Sequence, residues 1–187
     1  LQSMYPMKYA EDQGAVKFDF LGLQNLSTID NTIDLISKSR PDSVKLDIAR
    51  IPMDDPLTFN LFCRADTIGV FQLESSGMKR LVSNMQPSAF EDIVAILALY
   101  RPGPLGSGMV EDYVQCKHKR KRVIFPHPLM ADILKETYGV MVYQEQIIQS
   151  VQVLAGFSLG QADLLRRAIG KKTVEILAEQ RLQFVEI

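Results

Sequence analysis

Apolar residues recur at helical spacing along most of this chain, and the few departures from that spacing carry much of the information. Residues 1–14 are polar, weakly patterned and read as a lead-in loop. Residues 15–21 alternate instead: Val16, Phe18 and Phe20 fall on one face and Lys17 and Asp19 on the other, with Gly22 closing the run. A two-residue period predicts a half-buried strand. Leu26, Ile29, Ile33 and Ile36 then repeat as a helix does, with Ser27 and Asp30 as a capping box. Residues 39–53, punctuated by Pro41 and Pro52, read as loop.

From Asp55 the pattern is mostly helical. Asp55 as cap and Pro56 at the first helical position open a helix through Phe62. Residues 68–72 read as a short extended segment. Met78, Leu81, Val82 and Met85 share one side of a helix. Ser88 and Glu91 form a capping box before Phe90, Ile93, Val94, Ile96, Leu97 and Leu99, a stretch apolar nearly all round, which predicts a buried central helix. Arg101, Pro102, Gly103 and Pro104 stop it. Further helices are expected over 108–117, from Pro126 to Lys135, and over 144–155, with residues 138–142 extended between the last two. Ser158 and Gln161 cap the next helix, which holds Leu164, Leu165, Arg166 and Arg167 and is closed by Gly170. Thr173 caps the last one. The fold class expected is mainly α, with a short N-terminal β segment and one or two further short extended segments.

Composition narrows the function classes. The chain has 187 residues, 47% hydrophobic and 23% charged, enough for one domain or one domain and part of a second. With 21 Lys+Arg against 22 Asp+Glu the net charge is −1, so any contact with nucleic acid must rest on local patches. Cys63 and Cys116 stand far apart, give neither a disulfide framework nor a zinc site, and suit a reducing cytosol. No apolar run approaches the ~20 residues of a membrane span, and no signal peptide opens the chain. The first residue is Leu1 and the last helix is still running at the end, so the sequence reads as a piece of something larger.

Several side chains are candidates for chemistry. Asp19 and Lys17 lie on one strand face, about 7 Å apart at strand rise. They are either a surface pair of little energetic weight or a carboxylate for a divalent cation beside a lysine for phosphate. Arg166, Arg167, Lys171 and Lys172 either complement a helix C-terminus or form an anion site, for which the planar guanidinium suits polyphosphate. Adjacent arginines leave a helix about 100° apart, so one of them should face a cleft. The run 117–122, Lys-His-Lys-Arg-Lys-Arg, is a solvated loop or a contact for a nucleic-acid backbone. Arg101 sits on a rigid turn, and Tyr143, Gln144, Glu145 and Gln146 open a helix where polar side chains cap or face a ligand. His118 and His127 are isolated and are given no catalytic role. A glycine-rich phosphate loop, a Ser/His/Asp arrangement and an HExxH pattern are all missing.

Five stretches in order, KFDFLGL (17–23), GVFQLES (69–75), YRPGPL (100–105), YGV with YQEQ (138–146) and LLRRAIGKK (164–172), resemble the bacterial DNA polymerase III alpha-subunit family, the C-family replicative polymerases. The resemblance covers nearly the whole chain. It implies that residues 1–24 are the end of a palm, whose last strand is the β segment, and that residues 25–187 are the first part of a fingers domain. It implies that Asp19 is one of three metal-binding carboxylates for two Mg²⁺ ions, that Lys17 contacts the phosphates of the incoming nucleotide, and that Arg166 and Arg167 bind its triphosphate. Lys171, Lys172, Arg101 and Gln144 join them as nucleotide-binding candidates. The other two carboxylates belong to a P-D-x-D segment that this sequence lacks, so this piece alone is not expected to polymerise. Primer-template DNA, dNTPs, other replicase subunits and a sliding clamp are the partners implied, in a bacterial cytoplasm, with no membrane. A rival reading is a non-catalytic helical module that binds nucleic acid or protein through its basic cluster.

Overall fold

A computed structural model describes residues 4–40 and 46–185, and the chain divides after Ile51 into two compact units. The first unit holds α1 (Met7–Asp12) and α2 (Gln24–Ser39), followed by a 3-10 turn at Ile48–Arg50 whose Asp47 side chain accepts from the Ala49 amide at 3.0 Å. Helix α1 replaces the lead-in loop expected there. Helix α2 begins three residues before the expected cap: Leu23 precedes it without a side-chain bond, and Ser27 lies inside the first turns. The threonines bond backward along the same helix, Thr28 Oγ1 to the Gln24 carbonyl and Thr32 Oγ1 to the Thr28 carbonyl. Residues 41–45, within the expected loop, lie outside the described residues.

The expected N-terminal β segment does not form, and no β-strand is found among the described residues. Residues 15–23 run between α1 and α2 without a ladder. Val16, Phe18 and Phe20, the face meant for burial, are 72%, 74% and 95% exposed. Alternation specifies which side of a sheet a residue faces, but a strand also needs a neighbour for its amides and carbonyls. The amides of residues 16–22 are therefore expected to exchange at nearly free-peptide rates. Strong protection at low protein concentration would show a local sheet and contradict this.

The second unit is helical throughout: α3 (Pro56–Cys63), α4 (Ser76–Met85), α5 (Phe90–Leu99), α6 (Pro102–Gly106), α7 (Met109–Lys117), α8 (Ala131–Leu134), α9 (Gln144–Ala155), α10 (Leu159–Lys171) and α11 (Val174–Val185). The caps at Asp55 and Ser75 are side-chain caps, accepting from the amides of Thr58 and Met78. Met78, Leu81, Val82 and Met85 of α4 are all buried, as the spacing predicts, against Ala95, Ile96 and Leu99 of α5 and Tyr113 and Val114 of α7. Helix α5 is not buried all round. Phe90, Val94 and Leu97 stay partly in solvent along its other side. Its cap is Asp92 rather than the Ser88–Glu91 box, because the Asp92 carboxylate reaches back to the amides of Ser88 and Ala89 at 2.8 and 3.1 Å.

The two further extended segments are also absent. Residues 67–73 fold as successive turns, closed by the Val70 amide on the Thr67 carbonyl and the Leu73 amide on the Val70 carbonyl. Tyr138 and Gly139 take positive φ and end the 3-10 turn Lys135–Thr137. A Cβ at Gly139 would stand 2.5 Å from the Ile124 carbonyl oxygen, so glycine is required there by both conformation and space. Short apolar runs look alike as strands and as buried coil, since periodicity over five residues does not separate them.

A basic cavity beside helices α9 and α10

Helix α9 starts where a buried amide fixes it. The Gln146 Oε1 accepts from the amides of Val142 and Tyr143 at 2.8 and 3.0 Å, and its Nε2 donates to the Ile133 carbonyl and the Thr137 hydroxyl at 3.2 and 2.9 Å. Every polar atom of this buried side chain is bonded, so the first turn of α9, and with it Gln144, is held in place. At the other end Gly156 turns the chain in the left-handed region, and Ser158 and Gln161 exchange the cap bonds that open α10. Val151 and Ala155 of α9 and Ala162 of α10 then pack with Phe157, Ile148 and Leu165.

That packing leaves a cavity of about 330 Å³ lined by Gln144, Ile147, Arg166, Arg167, Ile169, Gly170 and Lys171. Four candidate residues, Gln144, Arg166, Arg167 and Lys171, thus share one wall system. Helix spacing asks for one of the adjacent arginines to face a cleft, and both line it. The reason is Asp163, one turn earlier on α10. Its Oδ1 accepts from Arg166 Nε at 2.8 Å and its Oδ2 from Arg167 Nε at 2.7 Å. Arg166 Nη1 also donates to Gln144 Oε1 at 3.0 Å, which joins the two helices across the cavity. The Asp163 carboxyl is held below the usual aspartate value by its bonds to Arg166 and then Arg167, against a smaller opposing effect of burial. Three cationic side chains face the cavity, and one carboxylate bonded to two of them offsets a single charge.

The remaining candidates lie elsewhere. Lys172 caps α10 in the left-handed region, φ +53°, and is not part of the lining. Arg101 sits before the first turn of α6. Lys17 and Asp19 belong to the first unit, where they form an exposed ion pair at 3.3 Å. In the basic run Lys117 is not solvated: its Nζ donates to Asp92 at 2.7 Å with both side chains more than nine-tenths buried. His118 bonds the Asn84 carbonyl and Lys121 pairs with Asp112. Asp163 escaped the sequence analysis, whereas Gln146 belongs to the polar run 143–146 read there as caps or ligand-facing side chains, and it caps α9. An acid three and four positions before two arginines was the readable sign of Asp163; for Gln146 the cap on the Val142 and Tyr143 amides is local, and only its bonds to the Ile133 carbonyl and the Thr137 hydroxyl leave no local pattern.

A family model for the bacterial DNA polymerase III alpha subunit finger domain matches residues 25–187, nearly nine-tenths of the sequence. The chain belongs to the bacterial DNA polymerase III alpha subunit family. The alpha subunit of Haemophilus influenzae is 52% identical over 183 residues, covering 94% of this chain and 16% of that protein. Those of Escherichia coli K12 and Aquifex aeolicus are 48% and 45% identical, covering 94% and 98% of this chain. The chain thus spans about one-sixth of the length of these alpha subunits. Helices α3 to α11, and the whole basic cavity, fall inside the finger-domain match, while Lys17 and Asp19 precede it. No helix among the described residues is long and apolar enough to cross a membrane.

Proposed function

We propose that this chain is the end of the palm and the first part of the fingers of a replicative DNA polymerase, and that the cavity beside α9 and α10 takes the triphosphate of an incoming dNTP. The observation that carries this reading is the meeting of Arg166, Arg167 and Lys171 with Gln144 around one space large enough for a polyphosphate. In template-directed nucleotidyl transfer the primer 3′-hydroxyl attacks the α-phosphate and pyrophosphate leaves. Guanidinium groups fixed before the substrate arrives stabilise the charge on the leaving phosphates without reorganising during the reaction. Lys17 is proposed as a further phosphate contact, and Lys172 and Arg101 as peripheral cations reached by the nucleotide or the DNA. Primer-template DNA, other replicase subunits and a sliding clamp are the proposed partners, in a bacterial cytoplasm.

Asp19 is proposed as one carboxylate of a Mg²⁺ site whose other ligands lie outside this chain. The residues present do not build that site themselves: no group of three or more His, Cys, Asp or Glu able to hold a metal occurs among the described residues, and a single exposed carboxylate is not a two-metal centre. The 187-residue chain is accordingly expected to show no saturable Mg²⁺ uptake by calorimetry and no primer extension with Mg²⁺ and all four dNTPs. Extension above a no-enzyme control, or stoichiometric Mg²⁺ binding, would overturn this division of the site. The nucleotide reading itself is tested by dNTP kinetics on the arginine variants in a full-length alpha subunit carrying this sequence.

A further inference from the structure

We infer that Asp163 is a positioning residue for dNTP, one carboxylate that holds both triphosphate-binding arginines in the orientation the substrate meets; this rests on the nucleotide reading of the cavity. Each Asp163 oxygen takes the Nε of a different arginine, at 2.8 and 2.7 Å. An Nε bond fixes the plane of a guanidinium; with Arg167 Nη2 also on the Asp163 carboxylate and Arg166 Nη1 on Gln144, each arginine keeps one terminal nitrogen, Arg167 Nη1 and Arg166 Nη2, to bind an anion. For Arg166 the plane is fixed twice, by Asp163 on its own helix and by Gln144 Oε1 at 3.0 Å from α9. Gln144 accepts that bond through its oxygen, so its amide nitrogen remains a donor among the residues lining the cavity.

Two effects of Asp163 on an incoming triphosphate oppose each other, and their sizes decide the sign. Its negative charge repels phosphate. At about 7 Å in water this is worth about threefold in affinity per unit charge, and salt lowers it further for a partly exposed group. Its bonds remove the rotamer freedom of two long side chains that would otherwise have to be ordered on binding, worth about 2- to 12-fold for each side chain. Over the net charge of about −2 on a Mg²⁺-bound triphosphate the repulsion is about ninefold before salt screening, against about 4- to 140-fold from two ordered arginines, so Asp163 favours nucleotide binding instead of competing with it.

The test is steady-state dNTP kinetics in a full-length alpha subunit carrying D163A, D163N, D163E, R166A or R167A, with melting curves to establish that each variant is folded. D163A is expected to raise KM for dNTP about 10-fold with kcat changed less than threefold. D163N, which keeps one acceptor oxygen, should fall between D163A and wild type, and D163E, which keeps both, should recover most of the loss. A merely structural role would lower melting temperature and active fraction without moving KM. If D163A and D163N leave KM unchanged or lower it while R166A and R167A are impaired, Asp163 is a bystander or a competitor, and the inference falls with the nucleotide site intact. If R166A and R167A also keep wild-type kcat and KM, the nucleotide reading fails and takes this inference with it.

Discussion

Replacing Arg166 or Arg167 by alanine in a full-length alpha subunit is expected to lower kcat/KM for dNTP by 10-fold or more, with the larger loss at Arg166. A charge-assisted hydrogen bond contributes about 1.5–3 kcal/mol, and about 1.4 kcal/mol corresponds to tenfold in rate. Arg166 should matter more because its side chain is 27% exposed against 63% for Arg167, so its field is screened less by water. It also carries the link to Gln144 on α9. Lysine at either position should restore charge but not the fork, and recover only part of the loss. If the two arginines serve only as surface partners of Asp163, the same substitutions change stability by a few tenths of a kcal/mol and leave the kinetics alone. Wild-type dNTP kinetics in both alanine variants would remove them from the site.

The second large effect is on stability. Asp92 and Lys117 join the start of α5 to the end of α7 through a 2.7 Å ion pair, and the same carboxylate accepts from the amides of Ser88 and Ala89 and from the Ser88 hydroxyl. Truncation by D92A leaves the buried Lys117 ammonium with only the Ser88 hydroxyl, 3.4 Å away, and strips two amides of their acceptor at once. Removing one partner of a buried pair costs about 3–5 kcal/mol, a large share of the roughly 5–15 kcal/mol that holds an ordinary domain together. K117M should cost less, because Asp92 keeps its three neighbouring donors. The double variant D92L/K117M should recover part of the loss, since an apolar pair carries no desolvation penalty. Urea unfolding measures all three. A D92A penalty below about 1 kcal/mol would mean that the pair is effectively solvated.

The same pair sets an acid limit. Burial, the largest single influence on Asp92, pushes its carboxyl up, but the Lys117 bond, the Ser88 and Ala89 amides and the Lys117 charge together hold it below the ordinary 3.8. A carboxyl lowered on folding contributes stability that is complete above its unfolded value and is lost as pH falls through the folded one. The advantage of the native protein over D92A should therefore be constant from pH 5 to 8 and shrink only below about pH 4.

The helices with strong local signals were legible as sequence. Asp55 with Pro56, Ser158 with Gln161, and the one-sided run Met78, Leu81, Val82 and Met85 each specify their element through residues within one or two turns, and the structure has all three. Caps and apolar stripes are local physics, decided by side chains that are already neighbours along the chain. The same locality explains the misses. Residues 15–21 alternate as a strand does, yet a strand is a relation between two segments, and no partner strand is found among the described residues. Asp92, not Glu91, caps α5, a choice made jointly with Lys117, 25 positions away.

At the cavity the division is similar. The sequence by itself determined the chemistry: two adjacent arginines with Lys171 close behind on α10, and a polar Gln144 opening α9. Their convergence was decided only in three dimensions. Gly156 reverses the chain so that α9 and α10 pack through Val151, Ala155 and Ala162, and Gln146, bonded to Thr137 and the Ile133 carbonyl, fixes where α9 begins. Asp163 stands where sequence and tertiary structure meet. Its spacing to both arginines is written in the chain, but which way two guanidiniums 100° apart would turn depends on a carboxylate able to bond both at once and on Gln144 approaching from the neighbouring helix. Hydrogen bonds between helices select one rotamer among several that are equally allowed locally, and no period along a sequence encodes that selection.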